Sequence, residues 1–131
     1  MILFGHPLIP SERFYHIESI DAILHTPSNS VIALVFEVQN LDIIAHLREN
    51  KIRFALYVTT VIEAVLGENL KATYLIVNEE NGSDIQKVAE HYLFDAKVLG
   101  HCEEEDKGLE KLINMRLDGA IFAEAIVKIT S

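Results

Sequence analysis

The segment HCEEED, residues 101–106, concentrates several chemically capable side chains in one short stretch. Histidine, cysteine and glutamate can all bind metal ions. Adjacent residues seldom point at one ion, however, and no CxxC or HxxxH spacing accompanies the segment. Carboxylates in a row are also what the positive N-terminal end of a helix attracts. The segment therefore predicts the start of a helix, and we expect no metal site here.

Cys102 is the one cysteine of the chain, so an internal disulfide is impossible. A single thiol fits a reducing compartment, and we expect the protein to be cytoplasmic. A thiol near a helix N-terminus can be reactive, although the neighbouring carboxylates oppose that effect. A buried, small apolar cysteine is the other interpretation. The sequence leaves the reactivity of Cys102 open.

Motifs with a clear catalytic or cofactor-binding mechanism are missing. The sequence contains no GxGxxG, no GxxxxGK[ST] and no GxSxG, and its six histidines are scattered. Phosphate cradles, dinucleotide sites and hydrolase nucleophiles of the usual kinds are therefore not predicted. We predict no catalytic residue and no cofactor; enzyme activity stays uncertain, with a non-enzymatic role favoured.

Five apolar, β-rich runs dominate the chain after residue 30. They cover residues 31–38, 52–58, 72–77, 96–99 and 118–122, and they begin 21, 20, 24 and 22 residues apart. That spacing accommodates a strand, a helix of about three turns and two short loops. Continuous apolar strands that alternate with helices are typical of a parallel sheet.

The five units predict one α/β domain over residues 1–131, with a five-stranded, mostly parallel sheet. Residues 1–30 hold all three prolines and are predicted to be irregular, and residues 31–131 to form the βα repeats. An open, flavodoxin-like sheet with helices on both faces is favoured. A half (βα) barrel is the alternative, because periodicity alone does not separate the two.

Polar residues follow the ends of these strands. In parallel α/β sheets, ligands bind beyond the carboxyl ends of the strands. We therefore predict a candidate ligand rim formed by Glu37, Thr59, Asn78, His101 and Glu124. The alternative is ordinary helix N-terminal chemistry, which favours the same residue types.

Residues 117–128, LDGAIFAEAIVK, resemble the last strand and the following turn of phosphosugar-binding (βα)8 barrels. Examples are the alpha subunit of tryptophan synthase and the histidine-biosynthesis barrels, with a pattern near A-D-G-x-I-x-G-S-A-I-V-K. In those barrels the Gly-Ser pair holds phosphate through backbone N–H groups. Here the pair is Ala123-Glu124, and a carboxylate repels phosphate. The resemblance therefore implies a degenerate phosphate site.

The five-unit layout also resembles that of response-regulator receiver domains. That family needs paired acids after the first strand, a phosphorylated aspartate after the third and a lysine after the fifth. Here the corresponding residues are Glu37, Asn78 and Glu124. The resemblance implies at most a degenerate receiver, because Asn78 cannot form an acyl phosphate.

The charge and composition of the chain exclude some partners and suggest others. The formal net charge is −9 and no run of basic residues exists, so nucleic acids and a polybasic membrane anchor are not expected. No apolar run approaches the roughly 20 residues that span a bilayer.

Residues 61–67, VIEAVLG, are apolar around most of a helix, which predicts a homodimer through its outer side. Burial under residues 1–30 is the alternative.

Two functions are compatible with these patterns. The first is a non-catalytic α/β module that acts through protein–protein contacts, in a regulatory or scaffolding role. The alternative is a small-molecule-binding domain or barrel-derived enzyme that uses the ligand rim. A deep pocket at the rim would favour the alternative. The sequence does not identify the ligand, the partner or the pathway.

Overall fold

The computed structural model describes residues 1–103 and 106–129 of the chain. In these ranges, eight strands and four α-helices alternate along most of the sequence. The strands are β1 (Ile2–Phe4), β2 (Phe14–His16), β3 (Val31–Val35), β4 (Phe54–Tyr57), β5 (Tyr74–Val77), β6 (Lys97–Cys102), β7 (Gly119–Phe122) and β8 (Ile126–Lys128). The helices are α1 (Leu41–Glu49), α2 (Val61–Asn69), α3 (Gly82–His91) and α4 (Asp106–Asn114).

All eight strands belong to one sheet in the order β1-β7-β6-β5-β4-β3-β2-β8, and every pairing is parallel. The predicted parallel α/β sheet is therefore confirmed. The predicted count of five strands is wrong, because β1, β2 and β8 also pair into the sheet. Each of these three strands has only three residues, which is too short for a periodic pattern to reveal.

The sheet is curled, with all four helices on its outer face. The outer core contains buried side chains from each helix, such as Ile44, Ala64, Ile85 and Leu112. The inner core is built from strand residues and Ala125, and every one of the eight strands contributes to it. The favoured open, flavodoxin-like sheet with helices on both faces is therefore wrong, and the half-barrel alternative is confirmed.

Aromatic rings fill the inner face. Phe4 of β1 contacts Phe14 of β2 at 5.0 Å between ring centroids, although β2 is seventh in the strand order. Tyr74 of β5, near the middle of the sheet, contacts both rings at 5.4 and 5.1 Å. These contacts require the two ends of the sheet to approach each other. The inner face therefore packs against itself and needs no second layer of helices.

Two residues after the end of each helix, a residue other than glycine adopts the left-handed backbone conformation. Lys51, Lys71, Leu93 and Arg116 follow α1 to α4 and have φ values of 56°, 71°, 52° and 60°. After α3, the N–H of Phe94 donates to the carbonyl of Ala89 at 2.9 Å, as in a Schellman motif. Residues other than glycine are strained in this conformation, because their Cβ atom lies too close to the following carbonyl oxygen.

Asp118 joins the amino ends of β6 and β7 to α3. Its carboxylate accepts hydrogen bonds from the N–H of Val98 at 2.9 Å and from the amide of buried Gln86 at 3.1 Å. The N–H of Asp118 donates to the side-chain oxygen of Gln86 at 2.9 Å. The aspartate of the LDGA segment is thus a structural residue at the end of the sheet opposite to the rim.

Candidate functional site

The carboxyl ends of the strands surround a cavity, which we call the mouth cavity, of about 600 Å³. Strand alternation explains which side chains reach it. His16 lies two residues after Phe14, and Lys128 two residues after Ile126, on the inner face of the sheet. The lining residues are His16, Val35, Phe36, Tyr57, Thr59, Glu63, His101, Ala123, Ile126 and Lys128.

One register pair and one ring contact bring three polar side chains together in the mouth cavity. His16 of β2 pairs with Lys128 of β8, whereas Tyr57 of β4 pairs with the apolar Val35 of β3. The rings of His16 and Tyr57 also contact each other, with centroids 5.5 Å apart. The imidazole of β2, the phenol of β4 and the ammonium group of β8 thus line the same cavity.

The two aromatic side chains of this group are held in their neutral forms. Burial lowers the pKa of His16 below its ordinary value of 6.5; Glu18 opposes this shift, and Lys128 adds to it. Burial raises the pKa of Tyr57 above 10.0. At neutral pH the imidazole can therefore both donate and accept a hydrogen bond, and the phenol keeps its proton. Such groups can bind a polar ligand or transfer a proton.

Glu63 is an acidic residue of the lining, and its carboxylate is hydrogen-bonded to Thr59, just before the start of α2. Its Oε1 atom accepts hydrogen bonds from the N–H and the hydroxyl of Thr59 at 2.8 and 3.1 Å. Thr60 caps the helix by accepting from the N–H of Glu63 at 3.1 Å. This is the reciprocal arrangement of a capping box, shifted by one residue. The carboxylate therefore has hydrogen-bond partners before any ligand arrives.

The predicted ligand rim is brought together only in part. Thr59 and His101 line the mouth cavity, and His101 also lines a neighbouring groove together with Asn78. Glu37 and Glu124 are exposed and lie outside the cavity lining. The Asn78 side-chain oxygen accepts from the N–H of Asn81 at 3.0 Å, just before α3. For Asn78, helix-entry chemistry therefore accounts for the residue type.

The prediction from the sequence missed His16, Tyr57 and Lys128. Tyr57 falls inside a predicted strand, and His16 and Lys128 lie on two strands that were not predicted. The only signal in the sequence was an apolar residue followed, two positions later, by a polar one, in FYH and in IVK. In three-residue strands this alternation is too brief to stand out.

The HCEEED segment is divided between two elements. His101 and Cys102 belong to β6 and face opposite sides of the sheet, His101 toward the mouth cavity and Cys102 into the outer core. Helix α4 begins at Asp106, while residues 104 and 105 of the predicted helix start lie outside the described residues. Within residues 1–103 and 106–129, no group of three or more potential ligands could hold a metal ion.

No protein-family model matches the chain, and no curated protein matches it significantly. The mouth cavity and its residues are therefore the features of the chain that bear on its function. Of the helices in the described ranges, none combines the length and apolar content needed to cross a bilayer.

Proposed function

We propose that this protein binds a small molecule in the mouth cavity, as a binding domain or as an enzyme derived from a barrel. The observation that carries the proposal is the position and lining of the cavity, because two other grooves have similar volumes of about 660 and 590 Å³. The mouth cavity measures about 600 Å³, within the range of small-molecule sites, and it lies at the carboxyl ends of parallel strands.

The chemistry of the lining supports the same proposal. Val35, Phe36 and Ile126 supply apolar wall, and His16, Tyr57 and Lys128 supply polar groups that converge on one space. An apolar pocket with a few converging polar groups and perturbed pKa values is the usual composition of a ligand site. Of the two functions considered from the sequence, a small-molecule site is the one that this geometry favours.

The test is a thermal-shift screen of a metabolite library against the wild-type chain and a variant with a filled cavity. Ala123 lines the cavity and is exposed, so Ala123→Trp fills the space without disturbing the core. Compounds that raise the melting temperature of the wild type are expected to have no effect on this variant. The control is Ala45→Trp on α1, an exposed alanine outside the mouth cavity. Hits that bind Ala123→Trp as well as the wild type would contradict the proposal.

A second proposal, a two-fold homodimer, is supported by the outer side of α2. Ile62 is 72% exposed and Leu66 is 46% exposed, whereas Ala64 and Gly67 on the opposite side are buried. Residues 1–30 therefore leave Ile62 open, contrary to the alternative considered from the sequence. Sedimentation at micromolar concentration tests the dimer, and Ile62→Glu is expected to dissociate it. A wild-type mass of 14.8 kDa would contradict it.

A further inference from the structure

Lys128 is the group of the mouth cavity that favours an anionic ligand. Among the described lining residues it is the only lysine or arginine, and Glu63 is the only acid. The carboxylate of Glu63 is engaged by Thr59, whereas no salt bridge to Lys128 occurs within residues 1–103 and 106–129. Among the described residues, the ammonium group of Lys128 is thus available to a ligand at one side of the cavity.

The remaining walls define the body of the ligand. Val35, Phe36, Ala123 and Ile126 present apolar surface, so a ligand with an apolar body gains more there than a fully polar metabolite such as a sugar. His16 and Tyr57 are neutral donors beside the apolar wall, and they can share the hydrogen bonds of an anionic group that Lys128 attracts. The ligand should therefore have one charged end and an apolar body.

The number of cationic groups and free backbone N–H groups in the cavity indicates the type of anion that it can bind. Proteins usually hold phosphate with several cations or with free backbone N–H groups at a glycine-rich turn or helix start. The described residues supply a single lysine to the mouth cavity, and the short turn Ala123–Ala125 carries Glu124 in place of a small residue. One ammonium group with two neutral donors suits the single charge of a carboxylate better than a phosphate dianion.

We infer that the ligand of the mouth cavity is a small carboxylic acid with an apolar body, whose carboxylate binds Lys128 beside His16 and Tyr57. This inference rests on the proposed function and specifies its ligand class. Charge-assisted hydrogen bonds are stronger than neutral ones, so the neutral amide of the same body should bind more weakly.

The test is an NMR titration of the labelled full chain with matched probes. Benzoate and 4-methylpentanoate are each compared with their amides, and benzoate also with phenyl phosphate. We expect the carboxylates to shift backbone signals of residues 35–36, 57–59 and 126–128. Lys128 is exposed, so its ion pair with a carboxylate is partly screened by water. Lys128→Met should therefore weaken carboxylate binding about twofold to fivefold and leave amide binding unchanged. Lys97→Met is the matched control, because Lys97 is an exposed lysine at the opposite end of β6, and it should leave both affinities unchanged.

The outcomes separate this inference from the proposed function. Amides that bind in the cavity as tightly as the carboxylates would overturn the carboxylate class, yet keep the cavity as a ligand site. Tighter binding of phenyl phosphate than of benzoate would likewise overturn the choice of carboxylate over phosphate. If neither carboxylate binds while other library compounds bind there, the inference is again wrong and the proposed function stands. Library hits that still bind Ala123→Trp, or that bind outside the mouth cavity, would instead contradict the proposed function itself.

Discussion

His16 and Lys128 are register partners on the adjacent parallel strands β2 and β8, and both line the mouth cavity. Two basic side chains on neighbouring strands disfavour simultaneous charge on both. Burial has the larger effect on the His16 pKa, and Lys128 strengthens it, whereas Glu18 acts in the opposite direction. The arrangement favours a neutral imidazole at neutral pH.

The stability of the protein should therefore depend on the protonation of His16. Because its pKa is lower in the folded than in the unfolded chain, the unfolded state binds the proton first as the pH falls below 6.5. Stability is complete above that pH and decreases as the pH falls toward the lower folded pKa. Urea unfolding at neutral pH and at about pH 5 measures this loss. His16→Gln should reduce it, whereas His25→Gln, at an exposed histidine, should not. An equal pH dependence in wild type and His16→Gln would contradict the assignment.

Leu93 should be a site where glycine stabilises the fold. It adopts φ 52° after α3, and its side chain is 85% exposed, so little hydrophobic burial is lost on its removal. Leu93→Gly should raise the free energy of unfolding by about 1 kcal/mol through relief of the left-handed strain. Lys87→Gly, inside the same helix, should lower it by about 1 kcal/mol. Chemical denaturation measures both, and a loss of stability in Leu93→Gly would show that the strain argument is wrong.

Asp118 should be important for stability and not for ligand binding. Asp118→Ala removes the acceptor of the Val98 N–H and of the Gln86 amide, and each buried donor left unpaired costs about 1–3 kcal/mol. Asp118→Asn keeps one acceptor oxygen and should cost less. Asp95→Ala, at an exposed aspartate, is the control and should cost little. Denaturant midpoints decide the matter; an Asp118→Ala chain as stable as wild type would mean that water replaces the lost acceptor.

Phosphosugars should neither bind nor react. Glu124 stands where the resembled barrels have a small residue, and it is exposed at the first turn of Ala123–Ala125. Its carboxylate repels phosphate at the position where those barrels use backbone N–H groups. Titration with a phosphosugar, followed by calorimetry, should give no heat of binding. A phosphate held by the N–H groups of residues 123–125 would be evidence against this expectation.

The sequence predicted the strands that are buried on both faces and missed the others. Residues such as Leu34 and Leu56 face the helices, while Ala33 and Ala55 face the inner core, so the runs are apolar throughout. The same apolar pattern results whether helices or other strands cover the second face. The curvature was therefore not predictable; it depends on Phe4 and Phe14, which pack across the sheet.

The candidate site was predictable only where it falls on the long strands. Thr59 and His101 follow the rule that ligands bind beyond strand ends, and both line the mouth cavity. His16 and Lys128 come from segments that pair with each other across more than a hundred residues of sequence. No local pattern records that pairing, because β2 and β8 are neighbours in the sheet but distant in the sequence.

The most direct test of the central claim is to map where the strongest library hit binds. Backbone amide shifts of the labelled chain report this position. We predict that the largest shifts at saturation fall on residues that line the mouth cavity, among them His16, Tyr57 and Lys128. They should vanish in Ala123→Trp. Largest shifts at Arg48, Lys51 and Lys71, which line a groove at the opposite end of the sheet, would contradict the claim.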